Sequence, residues 1–123
     1  MTRKEEKVFV SSGNVYADAG YANPQEALAK AELAMLIADF IKRKKLTQKK
    51  AAELIGIDQP KISAILRGQL SGFSIDRLFR FLMALGMDIV IEAKVHEQKN
   101  TEPSIYVMPP NYVENRSNVR LGR

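Results

Sequence analysis

Cysteine is absent from the 123 residues, and histidine occurs once, as His96. The first absence excludes disulfide bridges, thiolate zinc sites and cysteine nucleophiles, and fits a reducing compartment. The second removes the histidine-rich metal sites and serine–histidine triads, leaving His96 to be read as an exposed, idle side chain at a strand end. Long apolar runs are also missing. The longest, Leu33 to Ile41, contains Asp39 and falls far short of the roughly 20 residues that span a bilayer. After the charged start Met1-Thr-Arg-Lys-Glu-Glu-Lys, Val8 to Val10 give way at once to Ser-Ser-Gly-Asn, too little for the core of a signal peptide. A cytoplasmic chain with no membrane partner is expected.

The composition is that of a globular domain, with 46% hydrophobic and 27% charged residues, seven glycines and five prolines, enough for one modest core. Net charge is +5, and its distribution is uneven. From Lys42 to Arg67, eight basic residues (Lys42, Arg43, Lys44, Lys45, Lys49, Lys50, Lys61 and Arg67) meet only Glu53 and Asp58, while the rest of the chain is slightly acidic. Such a segment acts as a local patch that attracts a polyanion. A basic run can also be a plain solvated face, so the structure beneath it decides.

Asn23-Pro24-Gln25-Glu26 reads as a helix start: Asn caps, Pro takes the first helical position, and Glu follows three residues after the cap. The helix runs to about Lys44, with a core stripe of Leu33, Leu36, Ile37, Phe40 and Ile41. A second stripe, Leu28, Ala31, Met35 and Ala38, lies on another side. Either the helix is buried on both sides within the domain, or its second side meets another chain. Thr47 caps a short helix through about Ile55, ended by Gly56. Asp58 caps the next, with Pro60 in its first turn and Ile62, Ile65 and Leu66 buried, stopping near Gly68. Gln69 to Gly72 form a loop. Ser74 and Arg77 open a last helix with the stripe Ile75, Leu78, Phe79, Leu82 and Leu85, closed by Gly86.

The period then changes. Met87, Ile89, Ile91, Ala93 and Val95 alternate with Asp88, Val90, Glu92, Lys94 and His96, the two-residue repeat of a half-buried strand. Such a strand needs a partner for its backbone: Val8 to Val10, Ile105 to Met108 folding back, the same strand of a second copy, or another protein. The expected organisation is an N-terminal extension (1–22), a mainly α bundle of four to five helices with one C-terminal β-strand (23–96), and a polar, weakly folded tail (97–123).

Thr47 to Gly68, TQKKAAELIGIDQPKISAILRG, carries the functional signal. Two short helices joined through a glycine turn can be held steeply enough for the second to enter a DNA major groove. Ala52 stands four residues before Gly56, small enough for close helix approach. Ala51, Ile55, Ile57, Ile62 and Ile65 fall on the inner faces, which makes Ala52, Gly56, Ile57, Ile62 and Ile65 the structural positions. Subtracting the core side leaves Gln59, Pro60, Lys61, Ser63, Ala64 and Arg67 outward. Gln59, Lys61, Ser63 and Ala64 are the candidates for base contacts: Gln59 for adenine, Lys61 for guanine or phosphate, and the Ala64 methyl for thymine. Thr47, Gln48, Lys49 and Arg67 are the candidates for phosphate. The bland alternative is a helical hairpin whose charged faces only confer solubility, serving protein interaction rather than DNA. No carboxylate pair, metal cluster or activated nucleophile stands at useful spacing, so neither an enzyme nor a cofactor is expected. Asp76, Asp88 and Glu92 read as a first-turn charge and exposed strand residues, and Met83, Met87 and Met108 as gap fillers or edge contacts.

Thr47-Gln48, Ala52, Gly56, Ser63 and Gly68 resemble the Xre/Cro-type helix-turn-helix of phage repressors, the lambda-repressor-like bundle. Ser12-Gly13-Asn14-Val15-Tyr16-Ala17-Asp18, Asn23-Pro24, Ala27 to Ala34 and the block Leu46 to Leu85, with Arg67-Gly68-Gln69-Leu70-Ser71-Gly72-Phe73 inside it, resemble more specifically the HigA-type antitoxins, over about Ser12 to Val95. The resemblance implies a cytoplasmic bacterial repressor that binds operator DNA as a homodimer and neutralises a RelE/HigB-like RNase toxin. A stand-alone repressor without a toxin is the other form it allows. Pro60 replaces the polar residue usual in phage-type readers, and Ala64 is short, so those readers' base contacts do not transfer at these two positions.

Overall fold

A computed structural model of the chain describes residue 20 and residues 22–110. The Ser12–Asp18 motif, the Val8 to Val10 run and the basic end with Arg116, Arg120 and Arg123 lie outside the described residues. Four helices follow one another: α1 (Pro24–Arg43), α2 (Gln48–Ile55), α3 (Gln59–Leu66) and α4 (Ile75–Ala84). The long α1 packs against α3 and α4, and α2 bridges α3 and α4. Among the described residues no helix is long and apolar enough to cross a membrane.

The core lies where the stripes converge. Ile37 of α1, Ile62 and Ile65 of α3, and Leu78 and Leu82 of α4 are its largest fully buried side chains. Leu33, Ala34, Ile41, Ala51, Ala52 and Leu85 are buried with them, and Leu36, Phe40, Ile55, Ile57, Leu66, Ile75 and Phe79 are half-buried around the cluster. The second stripe of α1 does not make this helix buried on both sides: Leu28, Ala31 and Ala38 are half-buried and Met35 is 67% exposed.

Two core residues come from the expected loop Gln69–Gly72 and the position just after it. Leu70 and Phe73 are buried, and Phe73 meets Phe81 edge to face, with centroids 6.0 Å apart and planes at 79°. The Arg77 guanidinium lies 5.1 Å from the Phe73 centroid and 5.5 Å from that of Phe81, and donates to the Gly72 carbonyl at 3.2 Å. A cation over two ring faces, tied to the loop backbone, covers the aromatic pair from outside. Phe81, one step beside the expected stripe, is buried for that reason.

Of the four expected helix caps, two close through their side chains. The Thr47 hydroxyl accepts the Lys50 N–H at 3.0 Å, and Ser74 accepts the Arg77 N–H at 3.3 Å. Asn23 and Asp58 make no side-chain cap. At Asp58 the cause is local: Pro60 has no N–H to offer, and the Lys61 N–H bonds to the Asp58 carbonyl at 3.0 Å instead. Its carboxylate pairs with the Lys61 ammonium at 3.4 Å.

The strand expected over Met87–His96 is not formed among the described residues. Met87 and Ile89 pack on the core, but a strand exists only through a partner's hydrogen bonds, and residues 89–96 make no backbone–backbone bond to another described residue. The chain turns at 96–101, where the Thr101 carbonyl lies 2.9 Å from His96 Nε2, and returns to α1. There the Ile105 N–H donates to Gln25 Oε1 at 3.2 Å and Val107 packs against the core. The first part of the expected tail is thus in contact with the helical body.

Candidate nucleic-acid interface

Gly56 sets the angle between α2 and α3. It ends α2 in the left-handed conformation, φ 87°, and its N–H bonds to the Ala52 carbonyl at 2.7 Å. A Cβ there would meet nothing within 4 Å, so glycine is required for its backbone rather than for space. Buried Ala52 admits the second helix, and Ile62 and Ile65 turn inward to anchor it. What remains on α3 faces out: Gln59, Pro60, Lys61 and Arg67 are exposed, and Ser63 is half-buried. Gln48, at the start of α2, joins Gln59, Pro60 and Ser63 in lining one shallow depression. One phosphate candidate, Gln48, and two base candidates, Gln59 and Ser63, therefore meet at one place.

The other expected contacts fall nearby with differences. Thr47 and Lys49 are exposed on the first turn of α2, where helix N–H groups and the dipole favour an anion; the Thr47 hydroxyl is committed as the cap acceptor. Ala64 is half-buried and packs against the core cluster, so its methyl faces outward only in part. Lys61 is paired with Asp58, both exposed, an ion pair that costs little to open.

Arg67 is held at both ends of its guanidinium. It donates to Ser63 Oγ at 2.9 Å and to Gln69 Oε1 at 3.1 Å. Gly68, at φ 77°, folds the chain so that the Gln69 N–H reaches the Ala64 carbonyl at 2.9 Å. That turn puts Gln69 beside the arginine, a positioning role not read from the sequence; the signal was a polar residue directly after an Arg-Gly helix end. Around these residues all eight basic side chains of the charged segment are exposed. Arg43 pairs with Asp39 at 2.9 Å and Lys50 with Glu53 at 4.0 Å, while Lys42, Lys45 and Lys49 make no ion pair among the described residues. Among the described residues the positive field is therefore only partly neutralised.

Comparison with known proteins gives the same architecture. A helix-turn-helix domain family matches residues 15–94. A solved chain described as an XRE-family transcriptional regulator is 35% identical, with a TM-score of 0.66, over 70% of this chain and 97% of that chain. No curated protein matches. The matched region takes in the glycine-hinged pair α2–α3 and both supporting helices, and the chain belongs to the helix-turn-helix domain family as an Xre-type regulator.

Proposed function

We propose that the chain is a sequence-specific repressor that inserts α3 into the major groove of an operator. The observation that carries this reading is the outward flank of α3: Gln59 and Lys61 are exposed and Ser63 is half-buried, with Gln59 and Ser63 beside Gln48, all within the exposed basic segment. In that arrangement Gln59, Lys61, Ser63 and the outer part of Ala64 read base edges, while Thr47, Gln48, Lys49 and Arg67 hold the phosphates on either side. One eight-residue recognition helix reads few base pairs, and readers of this geometry bind as two-fold dimers on half-sites about 34 Å apart. A homodimer on a palindromic operator is therefore part of the proposal.

The resemblance of Ser12–Asp18 and of Arg67–Phe73 to HigA-type antitoxins supports a more specific role. In it, the repressor controls its own operon and binds a RelE/HigB-like RNase toxin. A small basic reading frame adjoining this gene would support that role over a stand-alone repressor; its absence would leave the repressor alone. The test of the main reading is a gel shift on the DNA upstream of the chain's own gene. A shift at protein concentrations at least about 1,000-fold below those needed for random duplex is expected. Equal affinity for both would overturn sequence-specific repression.

A further inference from the structure

The bond that holds Arg67 also fixes the chemistry of Ser63. A guanidinium has five N–H donors, no acceptor and a permanent charge, so where Arg67 Nη1 lies 2.9 Å from Ser63 Oγ the hydroxyl oxygen must accept. The same logic turns Gln69 Oε1 toward Arg67 Nη2, at 3.1 Å. Both terminal nitrogens are thereby engaged, and the guanidinium is held at two points. The Ser63 side chain makes no other hydrogen bond among the described residues, and it lines the depression shared with Gln48, Gln59 and Pro60. Its O–H is what remains to offer there.

We propose that Arg67 determines base specificity through Ser63: it makes Ser63 a donor only, so that the base facing Ser63 must present an acceptor, and Gln69 is the positioning residue for Arg67. A free serine hydroxyl serves either polarity. It can donate to guanine, to thymine or to N7 of adenine, and it can accept from the amino group of adenine or cytosine. Beside the guanidinium the two are no longer equal. A donor approaching Ser63 Oγ meets the positive charge bonded there at 2.9 Å, whereas an acceptor meets an O–H polarised by the bond that its oxygen already accepts. Cytosine is the base whose major-groove edge carries a donor and no acceptor. It is therefore the base refused at this position. The guanidinium keeps N–H groups beyond the two committed ones, and these hold phosphate. Phosphate contact alone would give affinity without any preference among bases.

This role rests on the operator reading, of which it names the base that the α3 flank refuses. The test is competition binding of the full-length chain to its upstream DNA, with all four bases placed in turn at each position of the site. Ser63→Ala locates the position that Ser63 faces, as the one whose preferences it alters. There the wild type is expected to disfavour cytosine relative to guanine by about fivefold or more, the cost of one mismatched pair. Arg67→Ala is expected to bring that ratio to within about twofold, less than one hydrogen bond's worth, to leave the ratios at other positions unchanged, and to lower affinity overall. In the Ser63→Ala background, Arg67→Ala is expected to change affinity only. Gln69→Ala removes one of the two anchors and is expected to lower the ratio at least about twofold. Gln69→Glu still accepts from Arg67 and is expected to restore the ratio at some cost in affinity. The three side chains are exposed or half-buried, so helical circular dichroism is expected to stay unchanged. Equal weakening at every position by Arg67→Ala would overturn the proposal and leave Arg67 a phosphate contact. So would unaltered preferences in Ser63→Ala, or a ratio in Gln69→Glu as low as in Gln69→Ala. A chain that prefers no duplex overturns the operator reading and this role together; a chain that keeps its operator preference and gives any of the preceding results overturns this role alone.

Discussion

Gln59 and Lys49 are both long, exposed and polar, but they offer DNA different chemistry. The Gln59 amide carries a donor and an acceptor, the pair that matches two edges of adenine, and it opens α3 on its outward flank. Lys49 carries a point charge on the first turn of α2 and cannot distinguish one phosphate from another. Gln59→Ala is therefore expected to lose about 1–3 kcal/mol of discrimination between operator and mismatched duplex, whereas Lys49→Ala weakens both alike. Competition binding on the two duplexes separates them, and equal losses from both variants would reject this division. Most of these side chains were legible in the sequence, because subtracting the inward positions of an eight-residue helix leaves few outward ones. The Ala64 methyl, beside the inward positions, is shared between the outer face and the core. The clamp on Arg67 was hidden because it depends on the turn at Gly68, which fixes where Gln69 goes only once the backbone has folded.

At the scale of elements, the helix ends show which signals are local enough to read. Thr47 and Ser74 cap because the N–H groups they reach belong to the same turn, whereas Pro60 deprives Asp58 of one target. The end of α1 carried no glycine to mark it, and the structure makes that turn with Lys45 in the left-handed region at φ 57°. Leu70 and Phe73 were missed because a loop has no period, and only the ring of Phe81 on α4 gives Phe73 its place. The start of α4 carries a pH-sensitive contribution. Hydrogen bonding from Ser74 holds the Asp76 carboxyl below its ordinary 3.8 against the opposing effect of desolvation, with lesser help from Arg80 at 3.3 Å. A carboxyl lowered in the folded state stabilises above its unfolded pKa, and that gain is lost as pH falls through the folded value. Asp76→Asn is therefore expected to lower the thermal midpoint slightly at pH 7, with the gap to wild type closing below pH 3.8. A gap unchanged down to pH 2 in thermal scans would exclude this linkage.

For the whole molecule, four helices enclose one core and leave the basic surface on the α2–α3 side, extending to the end of α1. Its positive side chains are solvent-exposed, so the attraction to a duplex comes mainly from releasing counterions. The logarithm of the binding constant should fall with the logarithm of salt concentration, by about 0.9 for each phosphate neutralised. Titration of operator binding against salt checks this, and a flat line would remove the electrostatic account of the patch. The helical body was legible because its stripes are strong and its connections short. The arm after α4 was legible as a pattern but not as a structure, since alternation says that a strand could form and not where its hydrogen bonds end. That arm has a consequence for handling the protein: with Val90, Ile91 and Val95 turned to solvent, its tendency to adhere to other apolar surfaces should rise with concentration and with salt, while the helical body that carries it stays intact.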